Sequence, residues 1–411
     1  MIKNIDLGMP SKSQKFSFYD DPAEMEPLLP SERLLAPLLE QAHDLQRAAL
    51  RLSGAVTPLE LRVLLRAMNS YYSNKIEGQH TLPIDIERAL HNDYSHDQEQ
   101  ARRQRLALAH MATEAAVEQH WKQGSDGHIW SARMVREIHQ DLFARLPENE
   151  RLLPEGEVLL PGALRDRNVS VGLHSAPAHT AIVPMLDRWG AFYAGARRGE
   201  PQVVAVAASH HRLAWIHPFR DGNGRVARLH THLAFGALGL TNGLWSPLRG
   251  FARSHEAYYS HLAAADQPRA GDLDGRGTLS ERALVSWIGY MLSTCLDQVA
   301  FMTRLLDVDA MKDRIAACLA FEEKVVREGV RTKSLRALHY LWLTRSELER
   351  SEFKAMLGLG ERLATAQVSA LLKRGLLVTD TPYGRLRFGV PQHALRFYFP
   401  RLWPEAEAAN G

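Results

Sequence analysis

The feature that most constrains this chain is an apolar spacing of three and four residues, repeated along most of its length, which a helix gathers onto one face and a strand does not. Such stretches run from Ser31 to Leu52, Pro58 to Ile76, Ile84 to Ala89, His96 to Trp121, Ala132 to Leu146, Val183 to Gly195, Val203 to Trp215, Arg225 to Leu238 and Glu281 to Leu306. Thr57-Pro58 supplies a cap and a first-turn proline, and Ser131 caps the stretch that follows it. With 411 residues, 45% of them hydrophobic, the chain can build a sizeable core in two or three domains. The expected fold class is mainly α.

Two stretches depart from the helical period. Asn168-Val169-Ser170-Val171-Gly172 alternates polar and β-branched residues ahead of a glycine, the pattern of a short strand or hairpin lying as a flap between helices. From Thr332 the chain reads as two short helices and a third from Glu361 to Arg374. A hairpin follows, with arms Leu376 to Asp380 and Arg385 to Val390 about a Thr381-Pro382-Tyr383-Gly384 turn. Helix, helix, helix, hairpin is the winged-helix order.

Composition removes several classes of function. A formal net charge of +3 gives no general attraction to nucleic acid or an anionic membrane surface. The first residues, Met1 to Phe18, lack an apolar signal core, and no run approaches the ~20 apolar residues of a membrane helix. Cys295 and Cys318 fall within apolar helical stretches, as expected of unpaired thiols in a reducing compartment, so a cytoplasmic location and no membrane partner are expected.

The segment from His217 to Arg228 concentrates chemistry. Pro218 breaks the preceding helix, and Gly222-Asn223-Gly224 frees backbone N–H groups at the start of the next one, where they and the helix dipole favour an anion. Arg225 and Arg228, three apart, share a helix face and can present two guanidinium forks to a polyphosphate. Asp221 offers the hard oxygen that Mg²⁺ prefers when it also takes phosphate oxygens and water. His217, with an ordinary pKa of about 6.5, suits a general base for a hydroxyl nucleophile.

This string, His217-Pro218-Phe219-Arg220-Asp221-Gly222-Asn223-Gly224-Arg225-Val226-Ala227-Arg228, resembles the Fic (Fido-domain) signature at every defined position. The resemblance implies a helical Fido domain that transfers AMP from Mg-ATP to a Ser, Thr or Tyr hydroxyl of a target protein or of the chain itself. His217 would be the base and Asp221 the metal ligand. Gly222, Asn223, Gly224, Arg225 and Arg228 would hold the phosphates. Gly224 stands where the Doc-type kinase branch has lysine, which favours transfer of AMP over phosphate.

Ser73-Asn74-Lys75-Ile76-Glu77-Gly78 places Ser73 and Glu77 four apart on one helix face, ended by Gly78. It is similar to the family's inhibitory motif, which implies that Glu77 pairs with Arg228 and displaces the partner of the γ-phosphate. In some relatives the same glutamate works in the reverse direction, removing AMP. By resemblance the flap residues Val169, Ser170, Val171 and Gly172 would dock the target, and Tyr258-Tyr259 would line the adenine pocket. The domain plan that follows is an N-terminal helical region over 1–95 carrying the inhibitory helix at about 58–78, a Fido domain over 96–306, a helical connector over 307–331 and a winged-helix-like module over 332–411.

Three other patterns bear on function. His210, His211, His217, His230 and His232 lack an acidic or cysteine ligand at metal spacing, which argues against zinc. Asp272-Leu273-Asp274-Gly275 opens like a calcium loop, but the twelfth position is Ala283 rather than glutamate. Arg362, Lys373, Arg374, Arg385 and Arg387 in the C-terminal module could meet phosphates, which gives the alternative of a DNA-binding regulator with the nucleotide site as sensor. A homodimer is compatible with all of these readings.

Overall fold

The computed structural model describes residues 18–53, 59–122, 129–172, 174–344 and 347–403. The expected cap Thr57-Pro58 lies outside the described residues. The chain is mainly helical. Its elements begin with α1 (Glu32–Ser53), α2 (Leu59–Ile76), α3 (Pro83–Leu90), α4 (Gln98–Lys122) and α5 (Ala132–Ala144). A small hairpin follows, β1 (Ser170–Val171) with β2 (His174–Ser175), and then α6 (Ile182–Ala194), α7 (Glu200–Ile216) and α8 (Asn223–Ala237). Next come α9 (Leu248–Arg253), α10 (His255–Ala265), α11 (Glu281–Leu305) and α12 (Val308–Phe321). The C-terminal part holds α13 (Leu335–Thr344), α14 (Arg350–Leu357), α15 (Glu361–Lys373), β3 (Leu377–Val378), β4 (Arg387–Phe388) and α16 (Gln392–Tyr398).

By compactness the chain divides into two units. One comprises Met1–Ala49, Asn69–Asn242 and Ser246–Gln298; the other comprises Leu50–Met68, Gly243–Trp245 and Val299–Gly411. This division is interleaved, whereas the sequence suggests segments in series. The connector expected over 307–331 falls inside the second unit, with the helices that follow it.

The first unit is organised around α7 and α8. Residues Val203 to Ala208 are all fully buried, as a helix apolar on every side must be, and their small side chains let neighbouring helices approach closely. Both α6 and α8 pack on α7, while α4 and α5 close over α8. Buried polar atoms are matched to backbone across these contacts: Trp189 Nε1 donates to the Ser209 carbonyl at 3.0 Å and Trp287 Nε1 to that of Ala207 at 2.7 Å. Ser131 caps α5 by accepting from the Met134 amide. The hairpin is shorter than its sequence suggests, because Val169 stays outside β1 and Gly172 turns the chain with φ +60°.

In the second unit, α12 packs against α13 and α16, and Trp342, Phe388, Tyr398 and Phe399 meet in its core. A capping box between Glu349 and Glu352 starts α14. The strands β3 and β4 pair antiparallel, and Leu348 bridges to Leu386 beside them. Cys295 and Cys318 are buried free thiols. No helix among the described residues is long and apolar enough to cross a membrane.

Candidate active site

His217 ends α7 in the left-handed region, with φ +51°, an uncommon backbone for a residue with a Cβ. Pro218 then forbids continuation of the helix. The turn is held from inside: the Asn223 side chain accepts from the Phe219 amide at 2.8 Å and donates to the Phe219 carbonyl at 2.7 Å. Asn223 therefore shapes the loop with both ends of its amide. Gly222 opens α8 with φ +81°, and a Cβ there would lie 2.4 Å from the Phe143 ring.

His139, on α5, supports this loop from below. Its ring stacks on Phe219 with centroids 3.9 Å apart, its Nδ1 accepts from the Gly162 amide at 2.8 Å, and its Nε2 donates to the Asp221 carbonyl at 3.2 Å. Burial pushes its imidazole down to about 4, which fits the neutral tautomer those bonds require.

The imidazole of His217 is also pushed down to about 4, by burial first and then by the neighbouring His174 and Arg165; a bond to the Ala214 carbonyl and the Glu77 charge oppose this. A neutral imidazole at pH 7 can accept a proton. Asp221 exposes its carboxylate, 3.8 Å from Arg225 Nη1.

Arg228 is fully buried, and its Nη2 meets Glu77 Oε1 at 2.6 Å and the Ser73 carbonyl at 3.1 Å. Its Nε donates to Ser73 Oγ at 3.2 Å. Burial would raise the Glu77 carboxyl, but the charges of Arg228 and Arg225 outweigh it and hold that carboxyl below the usual range. Arg225 donates through Nη2 to Gln79 Oε1 at 2.7 Å. Thus the segment from Ser73 to Gln79 holds both arginines of α8. Buried N–H groups remain over: among the described residues, Arg228 Nη1 and Arg225 Nε have no hydrogen-bond partner. A Cβ on Gly224 would lie 2.4 Å from Glu77 Oε1 and 2.9 Å from Arg228 Nη1, so only glycine leaves room here for the carboxylate that sits against Arg228. Spare cationic donors around a bare backbone suit an anion, and the exposed Asp221 carboxylate at the rim suits a cation that shares it.

The other expected site residues divide. Tyr258 is buried, with its hydroxyl 3.0 Å from His210 Nε2, whereas Tyr259 is 39% exposed and meets it edge-on. Ser170 and Val171 are exposed on the hairpin. One expectation needs correction: His232 does acquire acidic neighbours. Its Nε2 lies 3.4 Å from Glu114 Oε1, and Glu114, Glu118 and His232 bring ligand atoms within 4.8 Å of one another, while Asn69 donates to both oxygens of Glu114. The carboxylates come from α4, so no spacing near His232 could disclose them. His139, Arg165 and Gln79 likewise carry no local signal in the sequence.

Residues 129–235 match the family model described as Fic/DOC family. Over 129 residues the chain is 30% identical to "Protein adenylyltransferase Fic" of Nematostella vectensis, covering 30% of this chain and 28% of that one. Over 100 residues it is 30% identical to the protein of the same name in Drosophila mojavensis, covering 24% and 20% respectively. The chain thus spans less than a third of the length of these curated relatives. A Fic family protein from Desulfovibrio desulfuricans G20 shares the fold, with a TM-score of 0.51 at 17% identity over 89% of this chain and 99% of that one. The loop, its buried arginines and the matched residues fall in one segment, and the chain carries a Fic/DOC-family domain at residues 129–235.

Proposed function

We propose that the chain is a protein adenylyltransferase, moving AMP from Mg-ATP to a Ser, Thr or Tyr hydroxyl of a target protein or of itself, and that Glu77 restrains it. The observation that carries the reading is the pair of buried guanidinium groups at the start of α8 with N–H donors to spare, around a glycine whose missing side chain leaves room for an anion, here the Glu77 carboxylate. The relatives' name, protein adenylyltransferase, supports the same direction.

In this mechanism His217 takes the proton of the acceptor hydroxyl as its oxygen attacks the α-phosphorus. The bond from that phosphorus to the bridging oxygen breaks and pyrophosphate leaves. Arg225, Arg228 and the amides at Gly222 to Gly224 hold the phosphates in line. Asp221 would hold Mg²⁺, which supplies charge neutralisation to the phosphate oxygens. Glu77 on Arg228 restrains the reaction, because the guanidinium that would take the outer phosphate already has an anion. The same carboxylate, whose charge acts on the base, also suits hydrolytic removal of AMP, in which water attacks the phosphorus and the target hydroxyl leaves with a proton.

The test is ATP labelled at the α-phosphate, offered to the purified chain and to a lysate, for the native sequence and for Glu77→Gly. Label appearing on protein, with an adduct of AMP by mass, supports the transferase. The alternative of a DNA-binding regulator has less support. Of the five cations it needs, Lys373 pairs with Glu328, Arg374 with Glu322, Arg385 with Glu349, and Arg387 with Asp380, Glu347 and Glu60. Salt-sensitive duplex binding without transfer of label would restore it.

A further inference from the structure

Arg165 is 2% exposed and forms no ion pair with a carboxylate among the described residues. A guanidinium buried in this way is rare and costly unless its donors are met. Here they are met by main-chain carbonyls. Nε donates to His217 at 2.8 Å, Nη1 to Arg167 at 2.9 Å, and Nη2 to Pro177 and, at 3.4 Å, to Ile216. Its own amide donates to the Pro218 carbonyl at 2.9 Å. With no carboxylate beside it, burial pushes its guanidinium down to about 10, still charged at neutral pH.

These acceptors fall in two groups. Ile216, His217 and Pro218 form the turn that ends α7 and carries the base, and the carbonyls at a helix C-terminus hold partial negative charge that a cation complements. Arg167 precedes β1 and Pro177 follows β2, so they are the two roots of the hairpin. One side chain thus ties both roots of the hairpin to the turn in which His217 adopts its left-handed backbone.

We propose that Arg165 is a positioning residue for the reaction, fixing the His217 turn and the hairpin in one frame so that the imidazole stands where an acceptor lying along the hairpin presents its hydroxyl. This rests on the reading of His217 as the general base. Arg165 touches neither nucleotide nor acceptor; it acts through the carbonyls it holds. A lysine keeps the charge but cannot span the same carbonyls with one ammonium.

The experiment uses the full chain with Glu77→Gly, alone and combined with Arg165→Met or Arg165→Lys, and follows α-labelled ATP. Arg165→Met is expected to lower kcat about a hundredfold, the scale of a misplacement of about 1 Å, with KM for ATP changed less than about twofold. Arg165→Lys should recover less than about a tenth of that loss, and free guanidinium ion should recover more of it in the methionine variant. The acid limb of kcat/KM should also move to higher pH in Arg165→Met, because the Arg165 charge is one of the groups that depress His217. An unchanged kcat in a folded variant overturns the proposal. So does a loss that merely follows the folded fraction measured by circular dichroism. If Arg165→Met does not fold, Arg165→Lys bears the test by itself, and activity equal to the arginine parent overturns the proposal. If the Glu77→Gly parent transfers no label, the transferase reading has failed; the His217 imidazole signals in ¹⁵N-histidine spectra then decide the positioning claim, being expected to shift and titrate higher without Arg165.

Discussion

Around the loop from His217 to Arg228, guanidinium groups are buried with hydrogen-bonding capacity left over or satisfied only by carbonyls, as at Arg228, Arg225 and Arg165. In the second unit the cations of α15 and the hairpin are treated in the opposite way. Arg374 forks onto the buried Glu322 with bonds of 2.7 and 2.8 Å, and Arg387 is shared among three carboxylates. A cation already matched to a carboxylate serves the fold, and an anionic partner would have to displace that match. Arg228 also meets a carboxylate, that of Glu77, but it and Arg225 each keep a buried N–H group to spare among the described residues, so part of their binding capacity is unspent. The contrast favours the first unit for the proposed ligand chemistry, although the second carries the more conspicuous basic residues in the sequence.

His217→Ala is expected to reduce labelling of protein from α-labelled ATP by a factor on the order of 10² to 10⁴, as loss of a general base does. Residual transfer close to the parent rate would mean the loop is no catalyst. In the second unit, Arg374→Ala leaves Glu322 buried without its fork and should cost about 3 kcal/mol in denaturant unfolding, with labelling by the folded protein unchanged. A fall in labelling there would blur the line between the two regions.

Glu77→Gly sharpens the same line from the other side. The carboxylate forms a charge-assisted bond to Arg228, and removing it should raise labelling on the order of tenfold to a hundredfold, given about 1.5–3 kcal/mol for such a bond. An unchanged rate would show that the Glu77–Arg228 pair is only structural.

Acid should weaken the first unit through its buried histidines. His110, His139 and His230 are depressed, chiefly by burial, to about 3, 4 and 4. Their folded values lie below the ordinary one of about 6.5, so their contribution is complete above that pH and is lost as pH falls towards the folded values. At pH 5.5 each costs about 1.4 kcal/mol, to be read from unfolding curves at a series of pH values. The smallest effect is expected from Arg385→Ala. Its pair with Glu349 is largely in solvent, so stability should change by less than about 0.5 kcal/mol, and duplex binding at physiological salt should be undetectable before and after.

The parts legible in the sequence are those whose information is local. Helical periodicity located α1, α4, α5 and α6 to within a few residues, since each face is written in consecutive turns. The site loop was legible for the same reason: base, carboxylate, glycines and arginines all lie between His217 and Arg228. What stayed hidden depends on residues brought together from far apart. His139 is an unremarkable position on the buried face of α5 until the fold sets it under Phe219, and Arg165 resembles any loop arginine until four carbonyls surround it. Basic residues of the C-terminal module were visible, but their carboxylate partners were not, so charge that the fold has already neutralised looked available.

On the proposed function, Gly224 bears on how a nucleotide would enter. The space beside its α-carbon is bounded by Glu77 Oε1 and Arg228 Nη1, so a carboxylate already stands where an anion would settle. On the proposed function, Glu77 would behave as a tethered competitor, whose effective concentration at Arg228 is set by its attachment to α2 and does not dilute with the protein. An incoming phosphate would then compete with a carboxylate held in place rather than with one in free solution. Nucleotide concentration in the surrounding solution, and anything that alters the tether, would therefore move the same equilibrium from opposite ends.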